Sequence, residues 1–440
     1  MRAMKDSGVP WFGKIPSDVS VSKVGRHYDI TLGKMLCDVP KSDDMVYIPY
    51  ICAANVHFDG VDISELKRMW FSPDEIKLYT VQNRDLLIVE GGAGAGGCAI
   101  VHGIEGTIGI QNSIQIIRSK DGGDNRYLCY ALQSLVKGGY MDIACNKATI
   151  PHFTKDKLSN SPYIVWSIEE RRKIADFLDT QCAHIDDVIS KTKSSIEEYK
   201  KLKQAVITEA VTKGIRPGRK MKDSGIEWIG EIPEEWRIGK IKVGVTKVGS
   251  GKTPSGGAEV YSNEGVLFLR SQNVYDTGIV LDESATYITE KIDEDMASTR
   301  VYPNDVLLNI TGGSIGRCCI FPNELKRANV NQHVCIIRVR KDVFLARFMQ
   351  YYWISSLGKK AISLYQTGGN REGMTGEAIK NSPIPLITLA EQHEIADYLD
   401  SKCSSIDALI SKKEQFITEL SAYKKSLIYE YVTGKKEVPA

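Results

Sequence analysis

The ten cysteines are scattered without a single C-x-x-C pair, and only Cys318 and Cys319 stand together. Zinc sites and disulfide frameworks need tighter, patterned spacing. These thiols are therefore expected to be small buried apolar residues of a protein kept in the reducing cytoplasm. No run of eighteen apolar residues exists to span a bilayer. The opening Met1-Arg2-Ala3-Met4-Lys5-Asp6 lacks the apolar core of a secretory signal, so the expected location is cytoplasmic, with no membrane partner. The seven histidines form no cluster, and neither H-E-x-x-H, a Ser-His-Asp order nor a paired-carboxylate site is evident. The Asn/Asp-Pro-Pro-Tyr/Phe motif of adenine methyltransferases is missing as well. Together these absences predict a chain that performs no chemistry and holds no cofactor or metal.

An excess of one charge is also missing. Lys and Arg number 57 against 55 Asp and Glu, a formal net charge of +2. The balance holds region by region, and the one local excess is the linker trio Arg216, Arg219 and Lys220. The strongly basic footprint of many nucleic-acid binders is absent. Any DNA binding would have to rest on locally arranged charge or on a partner's surface.

What is present is a duplication. Met4-Lys5-Asp6-Ser7-Gly8-Val9-Pro10-Trp11-Phe12-Gly13-Lys14-Ile15-Pro16 returns as Met221-Lys222-Asp223-Ser224-Gly225-Ile226-Glu227-Trp228-Ile229-Gly230-Glu231-Ile232-Pro233. Ile174-Ala175-Asp176-Phe177-Leu178-Asp179 returns as Ile395-Ala396-Asp397-Tyr398-Leu399-Asp400. The period is far longer than the roughly 20–50 residues of solenoid units, so each half is domain-sized. Between the shared segments the halves differ almost everywhere, which suggests one frame carrying two different recognition surfaces.

Each half closes on a long helix. No proline lies between Ser167 and Lys213, and Gly214 supplies a stop. Leu178, Cys182, Ile185, Ile189, Thr192, Ile196, Tyr199, Lys203, Val206 and Ala210 alternate at spacings of four and three, the seam of a coiled coil. The same register returns as Leu399, Cys403, Ile406, Ile410, Lys413, Ile417, Leu420, Lys424, Leu427 and Tyr431. Matched registers favour packing of the two helices on each other. Phe177, Val188, Leu202 and Ile207 widen the first stripe, and Tyr398, Leu409, Tyr423 and Ile428 the second, so each helix has room for a further neighbour. About 45 residues at a 1.5 Å rise span roughly 70 Å, near two turns of B-DNA, which reads as a spacer.

The remaining segments read as mixed, strand-rich modules. Strands are expected over 45–50, 85–89 and 113–118 in the first and over 265–270, 305–309 and 334–339 in the second, with short helices at 127–136 and 345–355. The expected domains are 1–166, a recognition module; 167–215, a central spacer helix; 216–387, linker and second module; and 388–440, a C-terminal spacer helix. The fold class is α+β. Two glycine-rich stretches mimic cofactor sites. Gly92-Ala93-Gly94-Ala95-Gly96-Gly97 fits the loop of adenosylmethionine-binding methyltransferases, but a strand-like segment follows where such a loop needs a helix. A turn is expected there. Gly249-Ser250-Gly251-Lys252-Thr253 lacks the earlier glycine of a P-loop and runs into Pro254, so a polar loop is expected.

The paired Met-Lys-Asp-Ser-Gly-x-x-Trp-x-Gly-x-Ile-Pro openings, Glu391-Gln392-x-x-Ile395-Ala396-x-Tyr398-Leu399-Asp400 and its copy Glu170-Arg171-x-x-Ile174-Ala175-Asp176-Phe177-Leu178-Asp179 resemble the specificity subunits of type I restriction–modification enzymes. Lys213-Gly214-Ile215 and Lys252-Thr253-Pro254-Ser255 add to the resemblance, while Arg171 stands where the pattern has glutamine. The resemblance implies two target-recognition domains, each reading one half of a bipartite, asymmetric site in double-stranded DNA. It implies an antiparallel coiled coil that sets the gap, two modification subunits docked on it, and restriction subunits in the full complex.

Reading bases requires polar side chains at base edges. The candidates in the second module are Lys252, Thr253 and Ser255, then Arg270, Ser271, Gln272 and Asn273, then Gln366, Asn370 and Arg371. In the first module they are Asn55, Gln111, Asn112, Asn146 and Lys147. The Lys-Thr-Pro-Ser loop has no clear counterpart there.

Overall fold

The structure is a computed structural model that describes residues 2–92, 94–145, 151–281, 285–365 and 373–439. The chain divides into two compact units, Met1–Thr192 with Glu414–Ala440, and Lys193–Lys413. Each long helix therefore contributes one stretch to each unit.

In the first unit, β1 (Tyr28–Leu32), β2 (Leu86–Val89), β3 (Cys98–Ile100) and β4 (Ile114–Ser119) form an antiparallel sheet in the order β3-β2-β4-β1. Strand β2 is a run of four apolar residues because both its faces are covered. Leu86 and Ile88 enter the core beneath the helix Asn125–Lys137, while Leu87 and Val89 enter a second core shared with Ile51 and Ile110. All four are fully buried. Side chains of a strand alternate between its faces, so two apolar cores demand an unbroken apolar run. At roughly 1.5–3 kcal/mol for each buried aliphatic side chain, such a strand is a principal source of stability. A smaller sheet sets Val46–Ile51 parallel to Gly109–Ile110 and antiparallel to Lys67–Phe71. The ladder of Ser20–Lys23 with Pro162–Val165 returns the chain to its start before the central helix, Ile168–Lys213.

The second unit repeats this plan. Strands β5 (Val245–Ser250), β6 (Val306–Asn309), β7 (Cys318–Ile320) and β8 (Val334–Val339) take the order β5-β8-β6-β7, the same arrangement. Val306 and Leu308 face the core with the helix Ala346–Ile354, and Leu307 faces the other. The ladder of Arg237–Lys240 with Pro383–Leu386 leads into the C-terminal helix, Leu389–Val432. All six expected strands and both short helices form, within two residues of their expected ends. The fold is α+β with two long helices, as expected.

The repeated opening motif is a hairpin. Met4–Asp6 pairs with Lys14–Pro16, and Met221–Asp223 with Glu231–Pro233. Asp6 Oδ1 accepts from the Gly8 N–H at 2.9 Å, and Asp223 Oδ1 from Gly225 at the same distance. Gly8 and Gly225 sit at φ +70° and +75°, which favours glycine.

Within the first unit, Phe177 stacks on Tyr431 with ring centroids 4.4 Å apart, and Leu178, Cys182 and Ile185 share a core with Leu427 and Ile428. Within the second, Val206, Ile207 and Ala210 share a core with Leu399 and Cys403. Leu178, Ile185, Ile196, Leu399, Ile406 and Leu427 are buried; Ile189, Tyr199, Val206, Ile410, Ile417 and Leu420 are half-buried. The widened stripes divide: Ile207 and Ile428 are buried, whereas Leu202, Leu409 and Tyr423 are exposed.

The ten cysteines are unpaired; nine are buried and Cys52 is half-buried. No group of His, Cys, Asp or Glu among the described residues is placed to hold a metal ion. No helix among them is long and apolar enough to cross a membrane.

Candidate nucleic-acid interface

Most of the candidate reading residues gather at one end of each four-stranded sheet. In the second unit, β5 leaves the sheet through Gly251, whose N–H donates to Val334 O at 3.0 Å, while the Lys252 N–H donates to Val330 O at 3.1 Å. A Cβ on Gly251 would lie 1.8 Å from the Val330 carbonyl oxygen, so only glycine permits this exit. Lys252, Thr253 and Ser255 then stand exposed. At the same end lie Thr311, just beyond β6, and Asn331-Gln332-His333, which leads into β8. Thr253 Oγ1 donates to Gln332 Oε1, Gln332 Nε2 lies 3.2 Å from His333 Nε2, and His333 Nδ1 lies 2.5 Å from Thr311 Oγ1. Gln332, His333 and Thr311 were not among the sequence candidates, because only folding brings these loops together.

The structure also supplies the missing counterpart in the first unit. Gly33 and Lys34 leave β1 with the same bonds: Gly33 N–H to Ile114 O at 2.9 Å and Lys34 N–H to Ile110 O at 3.1 Å. A Cβ on Gly33 would lie 2.4 Å from Gln111 O. The only trace of this equivalence in the sequence is the dipeptide Gly-Lys. Lys34 is buried, ion-paired with Glu75 and held over the Phe71 ring at 5.7 Å, so it is not presented as Lys252 is. Met35 and Leu36 follow, 74% and 52% exposed, where the second unit has Thr253 and Pro254. The same frame thus offers an apolar tip in one unit and a polar tip in the other.

Several candidates have internal duties. Asn55 Oδ1 accepts from the Cys52 N–H at 3.0 Å, and Asn273 Oδ1 from the Arg270 N–H at 3.0 Å, each closing a 3-10 turn. Asn273 is buried and donates from Nδ2 to Val280 O at 3.1 Å, so its amide is a turn lock that no base edge reaches. The Ser271 carbonyl accepts from Asn309 Nδ2 at 2.8 Å. Gln111 Oε1 accepts from the Ser113 hydroxyl. Asn112 and Arg270 are half-buried, and Gln272 is exposed. Asn146, Lys147, Gln366, Asn370 and Arg371 lie outside the described residues. Nearby, Gly91 bridges His152 and Thr311 bridges Gly373, equivalent pairings in the two units. Burial raises the pKa of the Glu90 carboxyl beside His152, opposed by the imidazole's charge and a hydrogen bond from Gln115.

The glycine-rich stretch is a hairpin turn in both copies. Gly96 N–H donates to Val89 O at 2.9 Å and Gly316 N–H to Asn309 O at 2.8 Å. Gly92 and Gly96 sit at φ +90° and +83°, Gly312 and Gly316 at +72° and +86°. The glycines answer the backbone of a β2–β3 or β6–β7 turn, and a strand follows where a cofactor loop needs a helix.

The second repeated motif is a clamp. Arg126 is paired with Asp176 at 2.7 Å and with Asp179, while Tyr130 donates to Asp179 at 2.6 Å. In the second unit, Arg347 is paired with Asp397 at 2.7 Å and with Asp400, while Tyr351 donates to Asp400 at 2.6 Å. The aspartates of Ile-Ala-Asp-x-Leu-Asp thus fasten each module's short helix to a long helix. Gln392 caps the module turn by accepting from the Leu345 N–H and donating to Val343 O, both at 2.8 Å. Its counterpart Arg171 is buried and instead pairs with Asp121 and donates to Tyr28 Oη at 3.4 Å.

Comparison with known proteins agrees with this geometry. Residues 233–419 match the family described as type I restriction modification DNA specificity domain. The chain is 25% identical over 429 residues to the type I restriction enzyme MjaVIII specificity subunit of Methanocaldococcus jannaschii, covering 97% of this chain and 94% of that one. It is 21% identical over 339 residues to the EcoBI specificity subunit of Escherichia coli, covering 74% and 68%. Among solved structures, a chain from work on assembly and conformational transition of the type I R-M system superposes with a TM-score of 0.75 at 16% identity, covering 96% and 99%. The HsdS subunit from Thermoanaerobacter tengcongensis gives 0.53 at 16% identity, covering 96% and 98%. The duplicated frame and its two different loop ends accord with these findings: residues 233–419 match a type I restriction modification DNA specificity domain, and the chain is similar over most of its length to specificity subunits of type I restriction enzymes.

Proposed function

We propose that the chain is the DNA sequence-recognition subunit of a type I restriction–modification complex, each module reading one half of a bipartite, asymmetric site. One observation carries this reading: the same glycine-locked exit presents Met35 and Leu36 in one unit and Lys252, Thr253 and Ser255 in the other. Apolar side chains suit the thymine methyl group, and polar ones suit the amino and carbonyl groups of base edges. Exposed Lys252 suits a phosphate, which positions without specifying.

The chain itself is not an enzyme; methyl transfer and cleavage belong to its partners. Two modification subunits dock along the long helices, where Leu202 and Leu409 of the second unit and Phe416 and Tyr423 of the first are exposed. Exposed apolar side chains along a helix suit a partner's apolar face. Restriction subunits complete the assembly, and its place of action is the cytoplasm, with the DNA. Partner surfaces supply part of the phosphate contact that a near-neutral chain lacks.

The test is a module exchange. Replacing residues 234–387 with the equivalent module of a relative, and sequencing the methylated genome of a host that also makes the modification subunits, should change one half-site and leave the other. Methylation at unaltered sites would refute the reading.

A further inference from the structure

The second module contains a polar chain that has no counterpart among the described residues of the first. Thr253 Oγ1, Gln332, His333 and Thr311 Oγ1 are joined in series, and the chain's outer end is the exposed Thr253. The inner members are held by the backbone. The Ile310 N–H donates to His333 O at 3.0 Å, and the His333 N–H donates to Asn331 Oδ1 at 3.2 Å.

Such a chain has a direction. An amide has one accepting end and one donating end, and a neutral imidazole has one of each as well. With Gln332 Oε1 accepting from Thr253, its NH2 faces His333 Nε2, which accepts. The imidazole proton then sits on Nδ1 and is donated to Thr311 Oγ1. In this arrangement each donor of the series faces an acceptor, so a reversed Gln332 amide also requires the imidazole proton to move to Nε2; amide and tautomer turn only together. The one proton of the Thr253 hydroxyl is thereby turned inward, and its lone pairs face out.

We infer that Gln332 and His333 are positioning residues that fix Thr253 as a hydrogen-bond acceptor, so that this loop selects an exocyclic amino group, adenine N6 or cytosine N4, in the major groove. A threonine hydroxyl serves either role on its own; here the neighbours choose. At the equivalent frame positions the first unit has Met35, Asn112, Ser113 and Gly91, which cannot build this chain. The device therefore belongs to one half-site. The inference rests on the reading of this sheet end as DNA-facing.

The test uses the full chain with its modification subunits in a host whose genome offers all variants of the site, with methylation read by long-read sequencing. Thr253→Val should lower discrimination about tenfold at one base pair of the second half-site, the equivalent of one hydrogen bond, and leave other positions unchanged. His333→Phe, which keeps a ring in place but frees the Gln332 amide to reverse, should relax that same base pair. Gln332→Glu retains an acceptor for the Thr253 hydroxyl and should keep the wild-type preference. If Thr253→Val relaxes the position and His333→Phe does not, the positioning role is wrong while the DNA-reading role stands. A uniform loss at every position in His333→Phe would mark a merely structural histidine and overturn the inference. A wild-type complex with no fixed second half-site would refute the functional reading itself.

Discussion

Lys424 Nζ lies 2.6 Å from Asp186 Oδ2, and 221 residues away in each partner's copy Lys203 Nζ lies 2.6 Å from Asp407 Oδ2. Exchanging the central and C-terminal helices maps one pair onto the other. Each pair lies within a single unit. Within the first unit Phe177 meets Tyr431 and Asp186 meets Lys424, so residue numbers rise along one helix as they fall along the other and the two stretches run antiparallel. Both lysines stand at seam positions, where a charged side chain among apolar ones sets register at some expense of stability.

Reversal of Lys424 to Asp should destabilise the first unit by about 1 kcal/mol or less, because both partners are partly exposed. Adding Asp186→Lys should restore most of the loss. A double-mutant cycle from urea unfolding measures the coupling, and additive effects would show that the pair does not set register.

The aspartate clamps should be stronger. Asp400→Ala removes the acceptor for both Arg347 and Tyr351 and should cost about 2 kcal/mol in the second unit. Asp179→Ala should do the same in the first. Limited proteolysis that detects opening in the other unit instead would contradict the assignment.

Arg171 gives a pH signature. Burial raises the Asp121 carboxyl, but hydrogen bonds from Ser119, Arg171 and the Gly123 N–H prevail and bring it to about 2. Its folded pKa lies below the ordinary 3.8, so its contribution to stability is present above about pH 4 and declines as pH falls towards 2. Arg171→Gln should return the Asp121 titration, followed by carboxyl carbon NMR, towards the ordinary value. Asp121→Ala should be the more damaging change, about 3 kcal/mol, because Arg171 is 2% exposed and Asp121 is 43% exposed. Equal losses would argue against this asymmetry.

The glycine exits predict half-site-specific defects. Gly251→Ala drives a methyl into the Val330 carbonyl and should displace the loop that follows, weakening methylation through the second half-site. Gly33→Ala should act through the first. Methylome profiles in which either variant alters both half-sites equally would refute separate reading ends.

The helices predict a change of gap. One added heptad in each helix lengthens it by about 10 Å, close to three base pairs at ~3.4 Å each. The unread interval should change while both half-sites stay as they are, and an unchanged interval would end the ruler hypothesis.

Much of the frame was legible in the residues. Apolar runs such as 86–89 marked strands covered on both faces, and spacings of four and three marked the long helices, because periodicity records which faces are buried. The loops were less legible. Asn273 reads as a base-contacting amide until its burial and its bonds to Arg270 and Val280 appear. The match of Gly33-Lys34 with Gly251-Lys252 is hidden because two residues carry too little pattern, although their backbone bonds are the same.

The order of residues alone settles the duplication, the strand and helix content, the helix register and the lack of a known catalytic motif. These follow from local periodicity and from residue types that a chemistry requires. Tertiary structure decided which polar side chains face outward and which lock turns, and it joined Thr253 to Gln332, His333 and Thr311 across segments far apart in the chain. That decision is physical: a hydroxyl or amide has the same donors and acceptors everywhere, and only packing fixes where each of them points.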